Sequence, residues 1–101
     1  MRRVDWAPGA EKDLDEISDF IGADNPYAAR RTTQRIVTTV ERLAFMPAAR
    51  TGRVPGSYEM PVSKAPYIVA FELPDEATLR VLRIIHMSRD WPAGGWPEER
   101  S

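Results

Sequence analysis

Between Pro8 and Gly22 the apolar positions Ala10, Leu14, Ile17 and Ile21 recur at four-three-four spacing. That period lays one apolar stripe along a helix, with Glu11, Lys12, Asp13, Asp15, Glu16 and Asp19 on the remaining surface. Pro8 suits the first helical turn, where an N–H has no intrahelical partner, and Gly22 offers a left-handed stop. Asn25-Pro26 then restarts the chain as a second helix, with Asn25 capping the free N–H groups. Ala29, Thr33, Ile36, Val40 and Leu43 form its stripe, widened by Val37, Ala44 and Phe45, until Pro47 ends it. A link of about three residues forces the two helices into an antiparallel hairpin.

On either side of this hairpin the period falls to two. Residues 2–6 read as a strand held by Val4 and Trp6, and residues 48–57, rich in Arg, Gly and Pro, as a loop. Residues 58–62 form a short strand whose Pro61 argues for a sheet edge. After a turn at 63–66, residues 67–73 place Tyr67, Val69, Phe71 and Leu73 on one face and Ile68 and Ala70 on the other. A turn at 74–77 leads into residues 78–86, where Leu79, Val81, Leu82, Ile84 and Ile85 supply both faces, as a central strand requires.

The order βααβββ predicts an α+β fold, an antiparallel helix hairpin packed on one face of a small, mostly antiparallel sheet. No helix remains to cover the second face. Ile68, Ala70, Leu82 and Ile84 are expected there, to be met by a protein partner or by the tail that carries Trp91 and Trp96. With 101 residues, 43% of them apolar, the chain fits one domain, expected over 1–92 with a tail at 93–101.

Charge changes this picture in one respect. The totals, 14 Lys+Arg against 15 Asp+Glu, argue against a general electrostatic grip on nucleic acid. Yet residues 11–25 hold six acids and one Lys, while residues 30–53 hold six Arg and one acid. Two readings follow: the antiparallel helices attract each other across their flanks, or the basic stretch faces an acidic partner. Arg50 and Arg53 suit the second reading better, because loops carry function more often than helix flanks do.

The absence of Cys excludes thiolate metal sites, disulfides and a Cys nucleophile, and a single His excludes an all-histidine metal centre. There is no phosphate-cradling Gly motif and no Gly-x-Ser-x-Gly elbow, so no metal or cofactor is expected. No apolar run approaches the roughly 18 residues of a membrane span, and the N-terminus lacks a signal-peptide core, so the expected location is the cytoplasm with no membrane contact.

His86 is the residue suited to proton transfer near neutral pH, and it stands at a strand end between Arg83 and Arg89. An Arg there can stabilise phosphate charge, a sketch that suits RNA cleavage. A regular strand puts Arg83 and His86 on opposite faces, so a bulge would be needed to join them. The plainer reading is that His86 bonds backbone at the strand end and orders the tail.

Several pieces together carry a resemblance: Asp13-Leu14 and Ile17, the Asp24-Asn25-Pro26 break, Glu41-Arg42-Leu43 with Pro47, Pro66-Tyr67-Ile68-Val69, and residues 81–86 followed by Arg89-Asp90-Trp91-Pro92. In this order the chain resembles the RelE/ParE superfamily of toxins from type II toxin–antitoxin systems, in its ParE-like branch. The resemblance implies neutralisation by a cognate antitoxin whose C-terminal segment wraps the toxin, and contact with DNA only indirectly through that antitoxin. It implies DNA gyrase as the target of the ParE-like branch, and position near the strand end together with the tail motif makes Arg83, His86, Arg89, Asp90 and Trp91 the expected target-facing residues. Ile68, Ala70, Leu82, Ile84, Arg50 and Arg53 would then meet the antitoxin. RelE-like members instead cleave mRNA on the ribosome, and an unusual nuclease set here would be Glu59, Lys64, Arg83, His86 and Arg89. Where those nucleases commonly have Tyr-Arg on the third strand, this chain has Tyr67-Ile68. A third possibility within the resemblance is an antitoxin-binding module without toxicity.

Overall fold

The structure, a computed structural model, describes residues 1–88. Arg89, Asp90, Trp91, Trp96 and the 93–101 tail lie outside the described residues. The elements are β1 (Arg3–Trp6), α1 (Pro8–Gly22), α2 (Pro26–Phe45), β2 (Arg50–Thr51), β3 (Tyr58–Pro61), β4 (Tyr67–Asp75) and β5 (Thr78–His86). They form one five-stranded sheet in the order β1-β5-β4-β3-β2, parallel between β1 and β5 and antiparallel elsewhere. The helix hairpin packs on one face, and Phe71, Leu79, Val69 and Val81 meet Ile36 and Val40 in the core between the layers. Burying each of these side chains contributes about 1.5–3 kcal/mol.

Local chemistry explains the helix limits. Pro8 starts α1 after an extended Ala7, and the Asn25 Oδ1 accepts the Ala28 N–H at 3.1 Å to cap α2. Gly22 does not end α1 by a left-handed turn: the exit residue Ala23 is right-handed, with φ −58°. Gly22 instead lies against Ala29, where a Cβ would sit 3.6 Å from the Ala29 Cβ. Phe45 does not widen the α2 stripe, because at the last turn it points to solvent and is 72% exposed.

Two strand limits also differ from the pattern. The loop after α2 contributes β2, whose Arg50 and Thr51 pair with Glu59 and Tyr58. Pro61 lies beyond the reach of β2, at a stretch of β3 that is a true sheet edge and needs no outward N–H. β4 continues through Pro74 to Asp75, and only Glu76 and Ala77 make the turn, with the Asp75 carboxylate accepting the Ala77 N–H at 2.8 Å.

The register of β4 against β5 jumps from Ala70↔Arg83 to Phe71↔Val81, leaving Leu82 as an extra residue. This bulge reverses the facing of everything after it. Ile84, expected on the open face, pairs with Val69 and joins the helix-side core, while Ile85 pairs with Ile68 on the far face. The far face is not bare either: Ile68, Ala70 and Ile85 are all buried, in contrast to the uncovered patch expected from helix count. Long ion-paired side chains flank this strip, Glu59 with Arg53 on one side and Arg80 with Glu72 on the other.

Candidate functional site: the groove between helix one and the end of the central strand

β1 pairs with β5 only as far as Val81, so the next stretch of β5 has an open edge. The chain turns there into α1, and Asp13 takes the place of a strand partner. Its Oδ2 accepts the Ile84 N–H at 2.9 Å, while Arg83 binds both carboxylate oxygens, Nε to Oδ2 at 2.6 Å and Nη2 to Oδ1 at 2.9 Å. Both side chains are buried, at 8% and 10% exposure. Gly9 permits this: a Cβ there would sit 3.2 Å from the Arg83 Cδ. Asp13 is three residues past Ala10, at the margin of the apolar stripe, and that position is the signal in the sequence for a buried acid.

Beside this pair opens a groove of about 530 Å³. Asp13, Glu16 and Ile17 form its α1 wall, and Tyr67, Ile84 and His86 form its sheet wall. Phe20, 81% exposed, stands at the rim. The bulge is what brings His86 to this side, opposite Tyr67 in the register, with the two rings edge to face at 5.2 Å. The His86 Nδ1 accepts the Ser88 N–H at 3.1 Å and lies 2.7 Å from the Ser88 Oγ. The imidazole therefore bonds the chain that leaves the strand, and an accepting Nδ1 leaves Nε2 to carry the proton in the neutral ring. Burial pushes the Tyr67 phenol above its ordinary value.

Arg83 and His86 remain three regular residues apart, because the bulge lies before Arg83. The arginine side chain crosses the open edge to Asp13, so the same carboxylate touches Arg83 and lines the groove of His86.

The other residues proposed for phosphate chemistry lie elsewhere. Glu59 is on the far face, opposite Ala70, and is 3% exposed. Its carboxylate accepts the Arg53 backbone N–H and Nε, each at 2.9 Å, and Arg50 approaches to 3.7 Å. Burial raises the Glu59 pKa, but the Arg53 hydrogen bonds and the charges of Arg53 and Arg50 outweigh it and hold the carboxyl below its ordinary value. Lys64 sits in the β3–β4 turn at φ 60°, its carbonyl accepting Arg35 Nη1 at 3.1 Å. Glu59, Lys64, Arg83 and His86 are thus dispersed over two sheet faces and a turn. Among the described residues no group of three His, Asp or Glu could hold a metal ion, and no helix is long and apolar enough to cross a membrane.

The model of the ParE toxin of the type II toxin–antitoxin system parDE matches residues 4–91. The chain belongs to the ParE toxin family. Similar proteins include Y4kP of Sinorhizobium fredii, a candidate toxin, at 35% identity over 90% of this chain and 94% of that one. Toxin RelE2 of Caulobacter vibrioides is 32% identical, over 88% of this chain and 99% of its own. Among solved structures, a chain of the chromosomal ParDE toxin–antitoxin system from P. aeruginosa superposes with a TM-score of 0.79 at 27% identity, covering 87% of this chain and 98% of that one. The helix hairpin on a mixed sheet is therefore the ParE fold, and in this chain the Asp13–Arg83 pair joins α1 to β5 beside the apolar packing of Ala10, Leu14 and Ile17.

Proposed function

We propose that this ParE-family toxin inhibits DNA gyrase in the cytoplasm without hydrolysing RNA, and that a cognate antitoxin neutralises it. The observation that carries this reading is the sequestration of Arg83 and Glu59, two of the charged residues a nuclease would need. Arg83 is bound by both its Nε and Nη2 to Asp13, and Glu59 is enclosed by Arg53 and Arg50. A phosphoryl-transfer site needs its acid, base and cations converging on one reacting atom. Here they face different sides of the sheet.

In this reading His86 and the segment beginning at Arg89 face the target, and Arg83 positions them by fixing α1 against β5. Arg50, with a side chain 58% exposed, remains available to an antitoxin, as does the exposed rim of the α1 groove. DNA is met indirectly, through the antitoxin's operator contacts. The test pairs two reactions of the purified chain: gyrase supercoiling, and a translating extract with mapped mRNA ends. Loss of supercoiling with intact mRNA is expected. Cuts at the ribosomal A site would favour the RelE-like reading, and inertness in both would favour a non-toxic antitoxin-binding module.

A further inference from the structure

The basic stretch of α2 makes no direct ion pair with the acidic stretch of α1. Among the described residues no salt bridge joins an acid of α1 to an arginine of α2; the one ion pair of α1 with a neighbour on the helix surface is its own Lys12–Glu16 contact at 3.9 Å. The charge pattern across the hairpin is not drawn into direct ion pairs, and Arg31 and Arg42 of α2 are exposed.

Three cations converge where α2 passes the β3–β4 turn. Arg35, Arg42 and Lys64 line a groove of about 250 Å³ there. Arg35 reaches over to donate to the Lys64 carbonyl, which fixes the turn against the helix, and Lys64 is held in a left-handed conformation that projects it from the turn. The rest of the lining is Thr38, Thr39, Ser63 and the amide of Gln34. No acid and no purely apolar side chain lines it; Glu41, the single acid of α2, is not among its walls. Exposed Arg31 continues the cations along the helix, so that Arg31, Arg35, Thr38 and Arg42 make one stripe about 16 Å long at 1.5 Å per residue.

We infer that this groove binds the phosphodiester backbone of a nucleic acid. Arginine, lysine, hydroxyl and amide groups are the side chains that contact backbone phosphates without reading sequence. The lining carries no purely apolar side chain, so it lacks the hydrophobic centre typical of a protein–protein contact. The spacing also fits: one strand presents a phosphate about every 3.4 Å of axis, so the stripe spans several. This contact is direct, unlike the operator contact of an antitoxin, and independent of the gyrase reading. With a near-neutral whole, it is a local grip that is weak alone and strengthened when a larger complex presents the nucleic acid.

Fluorescence anisotropy of the purified full chain with a short duplex DNA, and with single-stranded RNA of the same sequence, tests this across a salt series. If Arg35, Arg42 and Lys64 each neutralise one phosphate, the log affinity on duplex DNA falls with log salt at a slope of roughly −3, at about −0.9 per phosphate. The double variant R42Q/K64N, whose Asn tolerates the left-handed turn, reduces that slope by about two. K12Q/R3Q removes the same charge elsewhere and leaves the slope unchanged. Thermal melting confirms that both variants are folded. Tighter duplex binding identifies DNA as the source of the phosphates, and tighter RNA binding identifies RNA; either supports the site. Equal losses in both double variants, no salt-dependent binding, or capture of poly-glutamate in place of either nucleic acid would overturn it.

Discussion

Asp13 satisfies three donors at once: two from Arg83 and the Ile84 N–H that β1 leaves uncovered. Removing one partner of such a buried pair costs about 3–5 kcal/mol, because the other charge stays buried. Asp13→Ala is therefore expected to lower the unfolding free energy by an amount of that order, read as a lower urea midpoint with the m-value unchanged. The joint replacement Asp13→Leu with Arg83→Met is expected to recover part of the loss, since an apolar pair avoids desolvating either charge but leaves the Ile84 N–H without its acceptor. Glu59 gives a pH prediction. Its folded pKa lies below the unfolded one, so its stabilisation is fully present above the unfolded value and is lost as pH falls through the folded value. Glu59→Gln is expected to be less stable near neutral pH, with a shallower decline in urea midpoint on the acid side. An unchanged acid limb would show that the Arg53–Glu59 contact carries no linkage.

At the scale of elements, Gly22 is the clearest opportunity. It is the last residue of α1, with no left-handed φ, and a Cβ would meet only ordinary contact with Ala29. Gly22→Ala is expected to stabilise the protein by about 0.4–1 kcal/mol by thermal or urea unfolding, chiefly by restricting the unfolded chain. A loss of stability would mean the α1–α2 corner is tighter than the 3.6 Å contact indicates. The helices were legible because their stripes, Pro positions and Asn25 cap agree with one another. The strands were legible from their alternation, with β4 extended by two residues past Leu73. What could not be read was the bulge at Leu82. Val81, Leu82, Ile84 and Ile85 are all apolar, so the composition of the strand conceals which residue is extra, and the facing of Ile84, Ile85 and His86 depends on that one residue. The candidate site suffered accordingly. His86 was singled out from its chemistry, but its neighbours Asp13, Glu16 and Tyr67 come from elements distant in sequence, and only the fold brings them to one groove.

For the whole molecule, a net charge of −1 describes neither surface well. The acids of α1 and the arginines of α2 do not pair, so the two helices present opposed fields side by side. Far-face charge, by contrast, is internally matched: Arg80 bridges Asp5 at 3.0 Å and Glu72 at 2.8 Å across three strands, and these bonds raise its pKa. Internal matching of this kind marks a face that organises the sheet, and unmatched charge marks the face offered to partners. The sheet side that helix count left open proves to bury Ile68, Ala70 and Ile85, which moves attention to the α1 groove and the α2 stripe as contact surfaces. The most direct measurement is ATP-dependent supercoiling by DNA gyrase in the presence of the purified chain, with the cognate antitoxin added back. The account predicts dose-dependent inhibition that the antitoxin reverses; full supercoiling at saturating toxin, together with mRNA cleavage in a translating extract, would contradict it.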